Sequence, residues 1–194
     1  MLASASPRRR ALLGRLGIDF MVRVPDIDET PEGDEEPMAY VERLARAKAD
    51  AAATDDGRDE VVVAADTTVD LDGTIVGKPI DAADATAILT RLSGRAHQVH
   101  TGVAVRRGGQ FVSTVTTSTV RFHPLRPDVI ASYVSTGEPL DKAGAYGLQG
   151  QGRALVAAIE GSASNVVGLP MAQTGALLAA VGFEPVRWGP PRPD

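Results

Sequence analysis

The chain has 194 residues, 43% of them hydrophobic and 23% charged, with a net charge of −5 and no cysteine. That length and balance suit one globular domain, with two lobes at most. They exclude disulfides and thiolate metal sites, and show neither an 18-residue apolar run for a membrane span nor a signal-peptide pattern. No membrane partner is expected, and an acidic chain is a poor partner for a nucleic-acid polymer, so any anion site must be a local cluster of positive charge.

Ser6 followed by Pro7 predicts a helix start: an N-cap hydroxyl, then proline at the first helical position. Ala11, Leu12, Leu13 and Leu16 keep helical apolar spacing, and Gly17 stops the helix. Ser4, Ser6, the free N–H groups of the first turn and Arg8, Arg9 and Arg10 then converge on a spot suited to a polyanion. The plainer reading is a capped helix with a solvated basic turn. Residues 18–25 alternate as a strand, 26–37 form an acidic loop, and a helix follows over 37–53. Residues 61–65 are a continuous apolar run, typical of a strand buried on both faces, which Asp66 ends. A hairpin at 69–76, a Gly-Lys-Pro turn at 77–79 and a helix at 81–93 come next. Strands at 97–105 and 110–122 flank Arg-Arg-Gly-Gly, a hairpin signal. A helix at 127–135, an ordered Gly-rich loop at 137–152, a strand at 154–159 and a last helix at 170–181 complete the pattern. The expected organisation is one α/β domain, 1–185, with a mixed twisted sheet flanked by helices, and a Pro-rich tail, 186–194.

Asp66, at the end of a buried strand, is placed to hold a cation or accept a proton, or merely to cap a turn. Asp28 and Glu29 are either a solvated charge run or, with Asp66, carboxylate donors to Mg²⁺ or Mn²⁺, which take few carboxylates plus substrate phosphates. Of the 20 basic residues, 17 are Arg and only Lys48, Lys78 and Lys142 are Lys, a bias that suggests a compact ammonium is wanted at those three places. Lys78 is set by its turn to reach a phosphate, although no P-loop is present. Lys142 is equally explained by an ion pair with Glu138 or Asp141. His97 and His100 point to opposite faces of one strand and His123 is isolated, so the histidines read as structural. With no Gly-x-Ser-x-Gly elbow, phosphate-anhydride chemistry with a metal fits better than acyl transfer.

Six segments in order carry a family resemblance: Leu2-Ala-Ser-Ala-Ser-Pro-Arg-Arg, Ala64-Ala-Asp-Thr, Gly77-Lys-Pro, Leu92-Ser-Gly-Arg-Ala-His-Gln-Val-His-Thr-Gly-Val, Gly137-Glu-Pro-Leu-Asp-Lys-Ala-Gly-Ala-Tyr-Gly-Leu-Gln-Gly and Gly161-Ser-Ala-Ser-Asn-Val-Val-Gly-Leu-Pro. Over residues 2–183 the chain resembles the Maf family of nucleoside triphosphate pyrophosphatases. The resemblance implies an inosine-triphosphatase-like fold, two lobes around a cleft, and hydrolysis of a nucleotide to its monophosphate and pyrophosphate. It implies a divalent metal cofactor (Mg²⁺, Mn²⁺ or Co²⁺), a cytoplasmic setting and a homodimer. It makes Asp66 the proton acceptor and gives Ser4, Arg9, Glu29, Lys48 and Lys78 to phosphate and metal handling, with Glu29 and Asp66 toward the metal. Arg8, Thr67 and Gln149 fall on positions linked to substrate choice. Gln149 points to dTTP and UTP rather than 7-methyl-GTP, since an amide offers a donor and an acceptor to a pyrimidine edge. The alternatives are a pyrophosphatase for purine or modified nucleotides and a nucleotide-sensing regulator of septum formation with little turnover. Relatives usually carry a few more residues before Leu2, so the first strand is expected to be short and its edge poorly secured. Ala163 stands where Tyr is common.

Overall fold

The computed structural model describes residues 1–54 and 60–184, and the expected Pro-rich tail lies outside them. In chain order the elements are β1 (Leu2–Ala3), α1 (Pro7–Gly14), α2 (Pro37–Ala52), β2 (Val61–Leu71), β3 (Thr74–Val76), α3 (Ala82–Leu92), β4 (Ala96–Arg107), β5 (Gln110–Phe122), α4 (Pro127–Ser135), β6 (Val156–Glu160), α5 (Ala163–Val167) and α6 (Met171–Ala180). Three short 3₁₀ turns, Glu138–Asp141, Ala143–Ala145 and Gln151–Leu155, order the Gly-rich loop.

The sheet runs β1-β2-β4-β5-β6, with β3 on the same edge of β2 as β1. Only β1–β2 is parallel, so the sheet is mixed, as expected. On its outer edge β2 pairs with β1 at Val63 and Ala64, then with β3 from Val69 to Leu71. Between those contacts residues 65–68 have no strand beside them, and the sheet edge is notched there. The same residues are held on the inner edge by β4, where Asp66 lies opposite Gly102 and Thr67 opposite Thr101.

Side chains alternate across the strands and so divide the core. One face of β2 and β4 sets Val62, Ala64 and Ala104 against Ala45, Ala49 and Ala52 of α2. The opposite face carries two separate apolar clusters. One packs Val63, Ala65, Val103 and Val105 on Leu12, Leu13, Leu169 and Leu178. The other packs Val69, Val99, Val120 and Phe122 on Leu89, Leu92, Ile130 and Tyr133. Thr67, Thr101 and Asn165 form a polar band between them, and this band divides the two lobes.

The local signals place most elements. The Ser6 hydroxyl accepts from the Arg9 N–H, and Pro7 opens α1. Five expectations are corrected. The helix ends at Gly14 rather than at Gly17. Residues 18–25 are not a strand: a two-residue β1 offers them a single bridge, Leu2 to Val22. Two hydrogen bonds, Leu2 N–H to Met21 O at 2.8 Å and Arg23 N–H to Leu2 O at 3.0 Å, nevertheless cover the outer edge of β1, which is therefore secured despite its length. Asp66 does not end β2, which continues five residues past it because β4 remains paired throughout. A short helix, α5, precedes the last one, its N-terminus capped by Ser162.

His97 is structural, as read. It is almost fully buried, edge-on to Phe122 and Tyr146, with Nε2 2.8 Å from the Tyr146 hydroxyl and Nδ1 without a partner among the described residues. Burial pushes its pKa down from 6.5 to about 4. The unfolded chain therefore takes up a proton that the folded chain refuses between these values, and stability falls as pH falls through that window. Urea unfolding should show this as a loss of about 2 kcal/mol from His97 between pH 7 and pH 5. The His97→Gln variant should lack that component of the slope.

Candidate active site

A cleft of about 450 Å³ opens at the notch in β2. Its walls include the residues that the family resemblance marked: Ser4 ahead of α1, Arg8 and Arg9 on α1, Glu29, Lys48 from α2, Asp66 and Thr67 from β2, Lys78, and Gln149. Arg10, expected to converge with them, does not line the cleft and is exposed, because each helical residue turns about 100° from the one before. Lys142 also reaches it, so all three lysines of the chain meet in one place. Asp28 does not line the cleft; its carboxylate accepts from the Thr30 N–H at 2.9 Å in a local turn.

Asp66 and Thr67 are successive strand residues and point to opposite faces, and both reach the cleft because it opens at the strand's free edge. On the α2 face, Lys48 Nζ lies 2.6 Å from Asp66 Oδ1 and 2.7 Å from Glu29 Oε1. Lys48 and Asp66 are both buried, so their pairing compensates charges that would be costly alone. Burial works to raise the Glu29 pKa, but Lys48, with Lys78 and Arg9 beyond it, outweighs this and holds the carboxyl below its ordinary value. Tyr40 steadies the Glu29 segment by donating to the Glu29 carbonyl at 2.9 Å. Burial, with the Asp66 and Glu29 charges, pushes that phenol up to about 12.

Gly102 permits this arrangement. It lies opposite Asp66 in the ladder, and a Cβ there would come within 2.2 Å of the Val41 carbonyl oxygen on α2. The missing side chain lets α2 settle onto β4. Lys48 lies seven residues after Val41, two turns along the same helix face, and so is delivered onto Asp66.

On the other face Arg9 is held by three acceptors. Its Nε donates to the Gly168 carbonyl at 2.9 Å, Nη2 to the Thr67 hydroxyl at 3.0 Å and Nη1 to the Ser4 hydroxyl at 3.3 Å. Thr101 donates to the Asn165 carbonyl at 2.9 Å, so it accepts from Thr67, 2.9 Å away. A directed chain therefore runs from Arg9 through Thr67 and Thr101 to Asn165. Burial draws the Arg9 guanidinium below its ordinary value, Asp66 opposing and Arg8 assisting. Arg8 crosses the cleft mouth to Asp141 at 3.0 Å. Lys142 pairs with the Asp141 carboxylate but meets only the carbonyl of Glu138. Lys78 is exposed and, among the described residues, has no ion-pair partner. Thr101, Asn165 and Tyr40 were not singled out from the sequence. Thr101 and Asn165 sit inside family-like segments, but no spacing signals a contact between residues 64 apart.

The lining carries five cationic side chains and three carboxylates, in a chain whose net charge is −5. A cleft positive within an acidic molecule focuses its attraction for anions at that one place. Two carboxylates, Glu29 and Asp66, are hard oxygen donors of the kind that suit a divalent cation, whose other positions phosphate and water would fill. Among the described residues no third carboxylate or histidine joins them.

Comparison with known proteins gives the family. The family model described as Maf-like protein matches residues 1–181, and the chain belongs to that family. It is 53% identical over 189 residues to the dTTP/UTP pyrophosphatase of Myxococcus xanthus (strain DK1622), covering 97% of this chain and 94% of the relative. It is 50% identical over 196 residues to the dTTP/UTP pyrophosphatase of Anaeromyxobacter sp. (strain Fw109-5), covering 98% and 93%. It is 52% identical over 192 residues to that of Moorella thermoacetica (strain ATCC 39073 / JCM 9320), covering 97% of each.

Gly102→Ala should force α2 away from β4. It is expected to cost about 1–3 kcal/mol in chemical unfolding and to shift Lys48 off Asp66, readable as a lengthened contact by crystallography.

Proposed function

We propose that this protein hydrolyses nucleoside triphosphates, dTTP and UTP by preference, to the monophosphate and pyrophosphate. The observation that carries the reading is the meeting of Arg9, Lys48 and Lys78 around Asp66 in one cleft. Relatives covering nearly the whole chain bear the name dTTP/UTP pyrophosphatase.

Asp66 accepts a proton from water as the water oxygen bonds to the α-phosphorus and the bond to the α–β bridging oxygen breaks. Pyrophosphate leaves against Arg9, whose fixed charge needs no rearrangement as negative charge grows, and against the exposed Lys78 at the same cleft. Ser4 and the first turn of α1 offer hydroxyl and N–H donors to phosphate oxygens. Lys48 holds Asp66 and Glu29 in place. Glu29 and Asp66 would bind the divalent ion that the family resemblance implies; when bound, such an ion supplies Lewis-acid charge neutralisation. Gln149, on the exposed Gly-rich turn, faces the base, and Arg8 and Thr67 line the same cleft and contribute to substrate choice. A cytoplasmic setting and a homodimer belong to the same reading, supported by the family resemblance and, for the compartment, by a chain without cysteine. The described residues contain no helix long and apolar enough to cross a membrane.

Asp66→Asn should remove a preorganised group and cost about two to three decades in kcat, or 3–4 kcal/mol, while the fold persists. Turnover near that of the unaltered protein, measured by pyrophosphate release with Mg²⁺, Mn²⁺ and Co²⁺, would take Asp66 out of the mechanism. Tight nucleotide binding with no pyrophosphate released by the unaltered protein would instead favour a sensor. Gln149→Glu should weaken dTTP and UTP hydrolysis more than it lowers the melting temperature. An unchanged profile across a nucleotide panel would remove Gln149 from base selection.

A further inference from the structure

The Gly-rich turn that carries Gln149 is held from behind by a single carboxylate. Glu138 Oε2 accepts from the Gln151 N–H at 2.8 Å. Its Oε1 accepts from the Gly152 N–H at 3.1 Å and from the Tyr133 hydroxyl at 3.0 Å. Burial works to raise this carboxyl's pKa, but the three donors outweigh it and hold the group below its ordinary value. Tyr133 is buried in the α4 core, so the tie runs from that core to the turn.

The glycines let the backbone wrap the carboxylate this closely. A Cβ on Gly150 would stand 2.4 Å from Glu138 Oε2, and one on Gly152 would stand 2.5 Å from the Tyr133 hydroxyl. Gln149 lies between Gly147 and Gly150 and lines the cleft, whereas Glu138 does not. The loop's other anchor is separate: Lys142 Nζ donates to the Glu138 carbonyl at 2.6 Å, and Asp141 reaches Arg8.

We propose that Glu138 is a positioning residue for nucleobase discrimination. It fixes the backbone that presents Gln149 to the base and does not itself touch the nucleotide. The inference rests on the role given to Gln149 above. Three donors converge on two oxygens, and only an ionised carboxylate accepts all of them. A glutamine there would turn an NH₂ toward one of the donors and release that side of the turn.

The test compares kcat/KM for dTTP and for dATP in the unaltered protein, Glu138→Gln, Gly150→Ala, Gln149→Ala and the Gln149→Ala, Glu138→Gln double variant. Glu138→Gln should lower the dTTP-to-dATP ratio about tenfold, the scale of one lost charge-assisted hydrogen bond. Gly150→Ala should move the ratio the same way by pushing the carboxylate aside. It keeps the charge, and its backbone, at φ −129°, accepts alanine. In the Gln149→Ala background, adding Glu138→Gln should change the ratio by less than about twofold, because coupled residues do not add. A purely structural loop contact would lower both substrates together and leave the ratio alone.

Folded Glu138→Gln and Gly150→Ala proteins that keep the original ratio would overturn the proposal. So would an undiminished effect of Glu138→Gln when Gln149 is already alanine. If Glu138→Gln does not fold, Gly150→Ala decides, since the atoms it displaces are the free end of a side chain. An unaltered protein that releases no pyrophosphate, or shows no pyrimidine preference, fails the functional reading itself and is seen before any variant is compared.

Discussion

The cleft depends on how closely α2 lies on the sheet. At Gly102 the helix backbone occupies space that any side chain would claim, and this contact decides where Lys48 falls. Lys48 then joins two carboxylates from different parts of the chain, one on β2 and one on a loop. Move the helix outward and buried Asp66 would be left with uncompensated charge at a low-dielectric position, while the exposed Glu29 would lose its partner. Helix packing and site electrostatics are here a single constraint.

The notch in β2 is the second condition. A strand lined along its whole outer edge would turn successive side chains to opposite faces of a closed sheet, and they could not share a ligand. Because β1 stops at Ala3 and β3 begins only opposite Val69, the gap admits side chains from both faces. Asp66 arrives with Lys48 from one side, and Thr67 with Arg9 from the other. Arg9 in turn is fixed by a hydrogen-bond chain that ends on α5. A triphosphate laid in the gap would meet fixed positive charge from two directions.

Much of this was legible where the signal is local. Ser6-Pro7 gave the start of α1, and the hairpin at 107–110 gave β4 and β5. The rarity of lysine marked three positions that do meet. The length of β2 was hidden because its polar stretch, Asp66 to Thr68, looks like a strand end when it is a strand beside a cleft. Residues 18–25 have strand-like alternation, but β1 is too short to give them a ladder. The chain through Thr67, Thr101 and Asn165 joins three distant segments, and no periodicity reports such contacts. The roles given to Arg8, Thr67 and Gln149 came from family resemblance, and geometry adds that the Thr67 hydroxyl is already engaged on both sides.

The alanine contact beneath α2 has a mechanical consequence. Ala45, Ala49, Ala52, Ala64 and Ala104 have no rotamers to exchange, so these five contacts lose no side-chain entropy on folding and offer little alternative packing. Lys48 and Asp66, the groups proposed to act at the phosphate, therefore stand on a stiff bearing. The opposite wall is a string of short turns and glycines, a part of the chain that can be re-cut without disturbing its foundations. On the proposed reading, a molecule divided this way can change which base it admits while the machinery at the phosphates stays as it is.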